Sequence, residues 1–236
     1  MATAASSSAV KIKGGTFAES THSYFSTEGI LVPSVTQTLA AIGLVDFSRV
    51  KPSVLERKRN IGIAVHAATE YIDTPEKGEL NWDSVATEAV GFVLAYESFC
   101  EQTGFRPTVI EHGGIAVVNS MAFGYRIDRF GTIGKGDNRA SVILDIKCGC
   151  SEGVSWPLQL AGYAMIPDLP KPVGVPEHLR VALQLKKDGT FKTFSYDSKY
   201  DARLFLSALS LTHYKMLRKI EIPRVPDDIE EGLEDE

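Results

Sequence analysis

Residues 122–147 read AFGYRIDRFGTIGKGDNRASVILDIK, and both the fold and the chemistry of the chain turn on them. Residues 122–130 and 141–147 have the apolar, β-branched character of strands, separated by the turn-rich segment 131–138. Its glycines at 131, 134 and 136 lie between two strands, which makes a hairpin loop rather than a phosphate-binding loop. Strand side chains alternate, so Asp145 and Lys147 share one face while Leu144 and Ile146 take the other. One strand earlier, Asp128 stands between Ile127 and, one residue further on, Phe130. A carboxylate and an ammonium in an otherwise apolar strand are costly to bury without a partner or a task. Antiparallel pairing would bring Asp128 and Asp145 within reach of one cation, and two hard oxygen ligands suit magnesium. Lys147 on the same face would add positive charge beside a phosphoryl group. A single Asp-x-Lys at a strand end is nonetheless most often an ion pair at a sheet's rim, and only further residues in order change that balance.

Working outward, residues 108–110 and 114–119 read as two more short strands before the pair. Ahead of them the apolar spacing predicts three helices. A short one follows Ser34 or Thr36 and carries Leu39, Ile42 and Leu44; a second covers 54–72; a third covers 83–101 and stops at Gly104. Beyond the pair, a helix starts near Pro157 and runs to about Met165. Residues 180–185 and 190–196 flank a Lys187-Asp188-Gly189 turn, and a last amphipathic helix spans 199–218. This order is a mixed α/β domain, a central sheet covered on its faces by helices. Residues 1–25, with three serines and a Gly-Gly pair, read as a flexible N-terminal segment; 26–226 read as one domain, and 227–236 as an acidic tail.

Composition narrows the classes. The chain has 236 residues, 44% hydrophobic and 23% charged, which suits a domain that needs no disulfide or structural metal to hold it. No stretch approaches the roughly 18 apolar residues of a membrane span, and residues 1–10 lack the form of a signal peptide. Three cysteines, Cys100, Cys148 and Cys150, fit reduced thiols in a cytoplasmic setting. The net charge of -5 is concentrated at one end: residues 227–236 hold seven acids, and without them 23 acidic residues face 25 basic ones. Charge therefore neither supports nor excludes a nucleic-acid partner. The chain has no G-x-x-x-x-G-K-[S/T] and no serine nucleophile elbow, so neither a fused ATP motor nor a serine hydrolase is expected.

Four further positions give the Asp-x-Lys its company. His66 lies in a largely apolar helix after Gly62, as G-x-x-x-H, and Glu70 one turn later is placed to hydrogen-bond it. Gln159 and Tyr163 stand four apart on one helical face, as Q-L-x-x-Y. Alone, His66 reads as an ordinary boundary histidine and the Gln159–Tyr163 pair as the polar edge of a helix. In sequence order the pieces are G-x-x-x-H, G-x-x-I-D ending at Asp128, I-L-D-x-K ending at Lys147, and Q-L-x-x-Y. Together, over about residues 33–165, they resemble the PD-(D/E)XK nuclease superfamily, in the RecB-like branch that includes phage exonucleases.

The resemblance implies a restriction-endonuclease-like fold and Mg²⁺- or Mn²⁺-dependent cleavage of DNA phosphodiesters. The expected action is exonucleolytic, on DNA ends or single strands in recombination, repair or phage DNA processing. It implies that Asp128 and Asp145 are metal ligands with the carbonyl of Ile146, that His66 is an additional metal ligand, and that Lys147 is the catalytic lysine. Gln159 and Tyr163 would contact substrate or orient the attacking water, and Glu111 matches an often acidic position as a supporting residue. The implied partners are DNA, then a second copy of the chain or a recombination protein, with no membrane; the implied setting is the cytoplasm of a bacterial or phage-infected cell. Two features depart from the pattern. Cys148 follows the lysine where a hydroxyl residue is usual, with Cys150 two positions on as a redox-sensitive or soft-metal pair, and three cysteines are too few for the four-cysteine iron–sulfur cluster of some members. Because of Cys148, a catalytically silent DNA-binding protein on the same fold stays open as an alternative, as does a structure-specific endonuclease.

Overall fold

The apolar run 142–148 becomes the central strand of a five-stranded mixed sheet, with no residue of it exposed. The computed structural model describes residues 9–48 and 50–223, so the acidic tail 227–236 and the first eight residues lie outside the described residues. Four short strands come first: β1 (Ala9–Ile12), β2 (Gly15–Ala18), β3 (Ser23–Ser26) and β4 (Leu31–Val32). Helices α1 (Val35–Ala41), α2 (Pro52–Asp73) and α3 (Val90–Thr103) follow. The main sheet then forms from β5 (Arg106–Val118), β6 (Met121–Ile133), β7 (Ala140–Cys148), β8 (Leu179–Leu185) and β9 (Phe191–Tyr196), in that spatial order. Helix α4 (Trp156–Ala164) carries the chain from β7 to its parallel neighbour β8, and α5 (Lys199–Leu217) closes the chain. All other neighbours in the sheet are antiparallel.

Both faces of the sheet are covered, which is why β7 has no polar alternation. Val142, Leu144, Ile146 and Cys148 pack with Val65, Phe92, Tyr96 and Phe99 of α2 and α3. Ile143 packs on the other side, with Leu39 of α1, Trp156 and Leu160 of α4, and Phe205 and Leu209 of α5. Asp145 and Lys147 interrupt this second face by alternation. Local signals set the helix ends. Ser34 and Gln37 form a reciprocal capping box at α1, Pro52 opens α2, and Gly104, at φ 70°, ends α3 by donating its N–H to Cys100 O at 3.0 Å.

Three expectations need correcting. Residues 9–26 are not a flexible segment: β1–β4 form an antiparallel sheet docked on the main one. Its backbone is anchored where Ile115 N–H donates to Lys13 O and Gly124 N–H to Pro33 O, both at 2.9 Å. The ring of Tyr24 lies against Gly124, where a Cβ would come within 2.3 Å of it. The third helix starts at Val90 rather than 83, because the Asn81 side chain caps a separate short turn, Trp82–Ser84, and Val85 is extended. The strands expected at 108–110 and 114–119 are one strand, β5, bent by a register shift between Pro107 and Val109.

Candidate active site

The site lies where the sheet's ladders part. β6 pairs with β7 up to Arg129–Leu144, and on its other side the β5 partners Ile110–Arg129 and His112–Ile127 skip the position between them. The skipped positions are Glu111, Asp128 and Asp145, so three carboxylates stand in a row across three strands. Glu111 adopts φ 46°, left-handed for a residue that gains nothing from it sterically, which marks the break in β5. At the other break the backbone N–H of Ile146 donates to Asp128 Oδ2 at 2.7 Å. The side chain takes the place of a strand partner.

On the α2 side every charged group has a partner. Gly62, His66, Thr69 and Asp73 recur at helical spacing and face the sheet together. His66 Nδ1 is 2.9 Å from Glu111 Oε1 and 3.9 Å from Asp128 Oδ1. Arg129, 0% exposed, donates to Asp73 Oδ2 (2.5 Å), Glu111 Oε1 (2.8 Å), Thr69 Oγ1 (2.9 Å) and the carbonyl of Asp128 (2.8 Å). Tyr96 donates to Asp73 at 2.6 Å, and Arg126 to Glu111 Oε2 at 3.2 Å. Burial alone would raise the Glu111 carboxyl, but the bond to His66 and the charges of Arg129 and Arg126 hold it down at about 2. Burial raises Asp73 despite the bonds from Tyr96 and Arg129.

Asp128 behaves differently. Burial pushes its carboxyl up to about 7, with the negative charges of Asp145 and Glu111 adding to the effect and His66 and Lys147 opposing it. On the α4 side, Lys147 Nζ lies 2.7 Å from Asp145 Oδ2 and donates to Gln159 Oε1 at 3.2 Å. Gln159 Nε2 is shared between Asp145 Oδ1 (3.4 Å) and Tyr163 Oη (3.0 Å), and Lys147 also lies 5.9 Å from the Trp156 ring centre. Asp145 Oδ2 is buried, and its partner is the Lys147 ion pair rather than a hydrogen bond.

One cavity of about 530 Å³ gathers His66, Glu111, Asp128, Asp145, Ile146, Lys147, Gln159 and Tyr163, the whole set singled out in the sequence. Ligand atoms of His66, Glu111 and Asp128 lie within 4.8 Å of one another, the one such group among the described residues. This gives Glu111, expected only as a supporting residue, a place beside His66 and Asp128. An oxygen-rich set with one imidazole, a buried carboxylate oxygen without a hydrogen bond and a carboxyl driven towards protonation together fit a divalent cation.

Glu70 pairs with Lys77 at 3.0 Å instead of His66. Cys148 points into the α2–α3 cluster and Cys150 into the opposite one, so they are not a joint soft-metal pair, and Cys148 does not share the face of Lys147. Arg129, Asp73 and Arg126 were not singled out in the sequence. The signal for Arg129 was there: a charged side chain inside a strand covered on both faces cannot reach solvent, so Arg129 needs a buried partner.

No family model matches the chain, and no curated protein matches it. Among solved structures it is similar to the crystal structure of SSO0001, at 14% identity over 67% of this chain and 85% of that one, with a TM-score of 0.30. A likeness of that size carries no argument about function. No helix among the described residues is long and apolar enough to cross a membrane.

Proposed function

We propose that the protein is a metal-dependent nuclease of the PD-(D/E)XK class on a restriction-endonuclease-like fold, acting on DNA ends. One observation carries the reading: three carboxylates aligned across β5, β6 and β7, with His66 on one flank and Lys147 on the other, in a single cavity. Asp128, Glu111 and His66 would hold the cation, and Asp145 on β7 would be available to it as a further carboxylate. Mg²⁺ or Mn²⁺ bound there supplies Lewis acidity to a phosphate oxygen and makes water a better nucleophile at neutral pH.

The chain's own groups do the rest. Lys147 presents positive charge to a phosphoryl group entering the cavity, where low dielectric strengthens it. Gln159 fixes the Lys147 ammonium and Asp145 Oδ1 with one amide, and Tyr163 fixes the amide. His66, with Arg129 and Arg126, holds Glu111 ionised, and the Arg129 bond fixes its side chain at the cavity. The test incubates the protein with end-labelled linear and closed circular DNA in Mg²⁺, Mn²⁺ or EDTA. Metal-dependent loss of linear DNA, abolished in Asp145→Ala, is expected. Equal or absent degradation in every condition, unaffected by that substitution, would sink the reading, and survival of circular DNA identifies exonuclease action.

A further inference from the structure

Part of the cavity's lining comes from the N-terminal sheet, which the proposed phosphodiester chemistry does not use. Phe17, Glu19 and His22, on β2 and the turn after it, line the same cavity as Asp128, Asp145 and Lys147. Gly62, Ile63 and Ala67 of α2, small or apolar, also line it, and Arg59 and Arg126 add positive charge.

The ring of Phe17 is held in place there. Phe17 pairs across the strands with Tyr24, the ring centres 4.8 Å apart, and Tyr24 is itself pinned on Gly124 of β6. His22 meets Phe17 edge-on, the ring centres 6.0 Å apart. Tyr24 is 2% exposed, but Phe17 is only partly buried, and Ile63, which also lines the cavity, is 48% exposed. A ring needed only for packing would be covered as Tyr24 is. This one is fixed by its neighbours and offers apolar surface to a cavity of about 530 Å³, within the range of small-ligand sites.

We infer that Phe17 is the stacking platform for an unpaired nucleotide base whose phosphate lies towards Lys147, which makes single-stranded or frayed ends the substrate. This rests on the nuclease reading for the phosphate and adds the base. An aromatic face binds a base by its own face, and bases in a duplex show only their edges in the grooves. A paired base therefore cannot use Phe17, whereas an unpaired one can.

The experiment uses the full chain in Ca²⁺, with oligodeoxynucleotides carrying 2-aminopurine at the terminal position, as single strands and as blunt duplexes. Wild type is expected to quench the single strand and bind it at least tenfold more tightly than the duplex. Phe17→Leu keeps an apolar side chain against Tyr24 but no ring, and should weaken binding about ten- to hundredfold and remove the quench; Phe17→Trp should restore both. Thermal melts check that each variant is folded. Binding by Phe17→Leu within twofold of wild type, or equal quenching of duplex ends, overturns the inference. Wild-type hydrolysis of bis(p-nitrophenyl) phosphate in Mn²⁺ reads the nuclease assignment separately. Hydrolysis without quenching overturns the base subsite alone; quenching without hydrolysis supports the subsite and overturns the assignment.

Discussion

The two flanks of Asp128 are built on opposite plans. On the α2 side, Asp73, Arg129, Glu111 and His66 form a continuous chain in which each charge meets an opposite or hydrogen-bonding group, with Arg129 making four bonds. On the α4 side, Asp145 sits beside Lys147 at 2.7 Å, yet its Oδ2 has no hydrogen bond, and one glutamine amide serves three groups. The first flank resembles a scaffold, satisfied before any ligand arrives. The second retains unspent hydrogen-bonding and charge capacity at the face of the cavity. Substitutions of Asp73 and Arg129 should therefore cost stability first, and substitutions of Asp145, Lys147 and Gln159 should cost function first.

The largest effect should come from Arg129→Met. It removes the buried cation that Asp73 and Glu111 share, leaving Asp73 with Tyr96 and Glu111 with His66 and Arg126, and unfolding in urea should show a loss of about 3–5 kcal/mol. Arg129→Lys, a point charge without the planar fork, should recover part of it. A loss below about 1 kcal/mol for the methionine variant would remove the distinction between the flanks. Next, Gln159→Leu should lower DNA hydrolysis in Mn²⁺ about ten- to hundredfold by releasing Lys147 and Asp145, with a small change in melting temperature. A large fall in stability with normal activity would reverse the assignment.

A pH series sharpens the contrast. Asp128, at about 7 in the folded chain, lies above its unfolded value, so its stabilising contribution is full below about pH 4 and is lost as pH rises through 7. Asp73, also raised, acts in the same sense. Glu111, at about 2, acts oppositely: its contribution is present above its unfolded value and is lost as pH falls through 2, outside the window in question. The metal-free protein should therefore melt at a higher temperature at pH 5 than at pH 8. Mn²⁺ affinity by calorimetry should rise over the same interval, as the proton on Asp128 ceases to compete. An affinity independent of pH between 5 and 8 would contradict the placement of Asp128. The smallest effect belongs to Cys148→Ser, whose side chain lies on the face of β7 away from Asp145 and Lys147. A hydroxyl in the α2–α3 cluster should cost about 1–2 kcal/mol of stability and leave hydrolysis unaltered.

The sequence made these flanks legible to different degrees. Alternation in 142–147 placed Asp145 and Lys147 on one face, and helical spacing placed Gln159 beside Tyr163, because both are local regularities. The mixed sheet with helices on both faces followed from the order of elements. The α2 flank was hidden because its bonds are long-range: Arg129 meets Asp73 56 positions away and Glu111 18 away. The role of Glu111 depends on a left-handed backbone at a break in β5, which no residue type there announces. The N-terminal wall was missed for a related reason. Its strands are four residues or fewer, too short for periodicity to show, and they are stabilised by docking on Gly124 and Ile115 rather than by their own pattern.

The central claim is that Asp128 holds a divalent cation between the two flanks. Anomalous diffraction from crystals soaked in Mn²⁺ tests it most directly. A peak within about 2.0–2.4 Å of an Asp128 carboxylate oxygen, with Asp145 and either Glu111 or His66 as further ligands, is the predicted result. A fully occupied peak elsewhere, or no peak in the cavity at saturating Mn²⁺ and pH 8, would contradict the account.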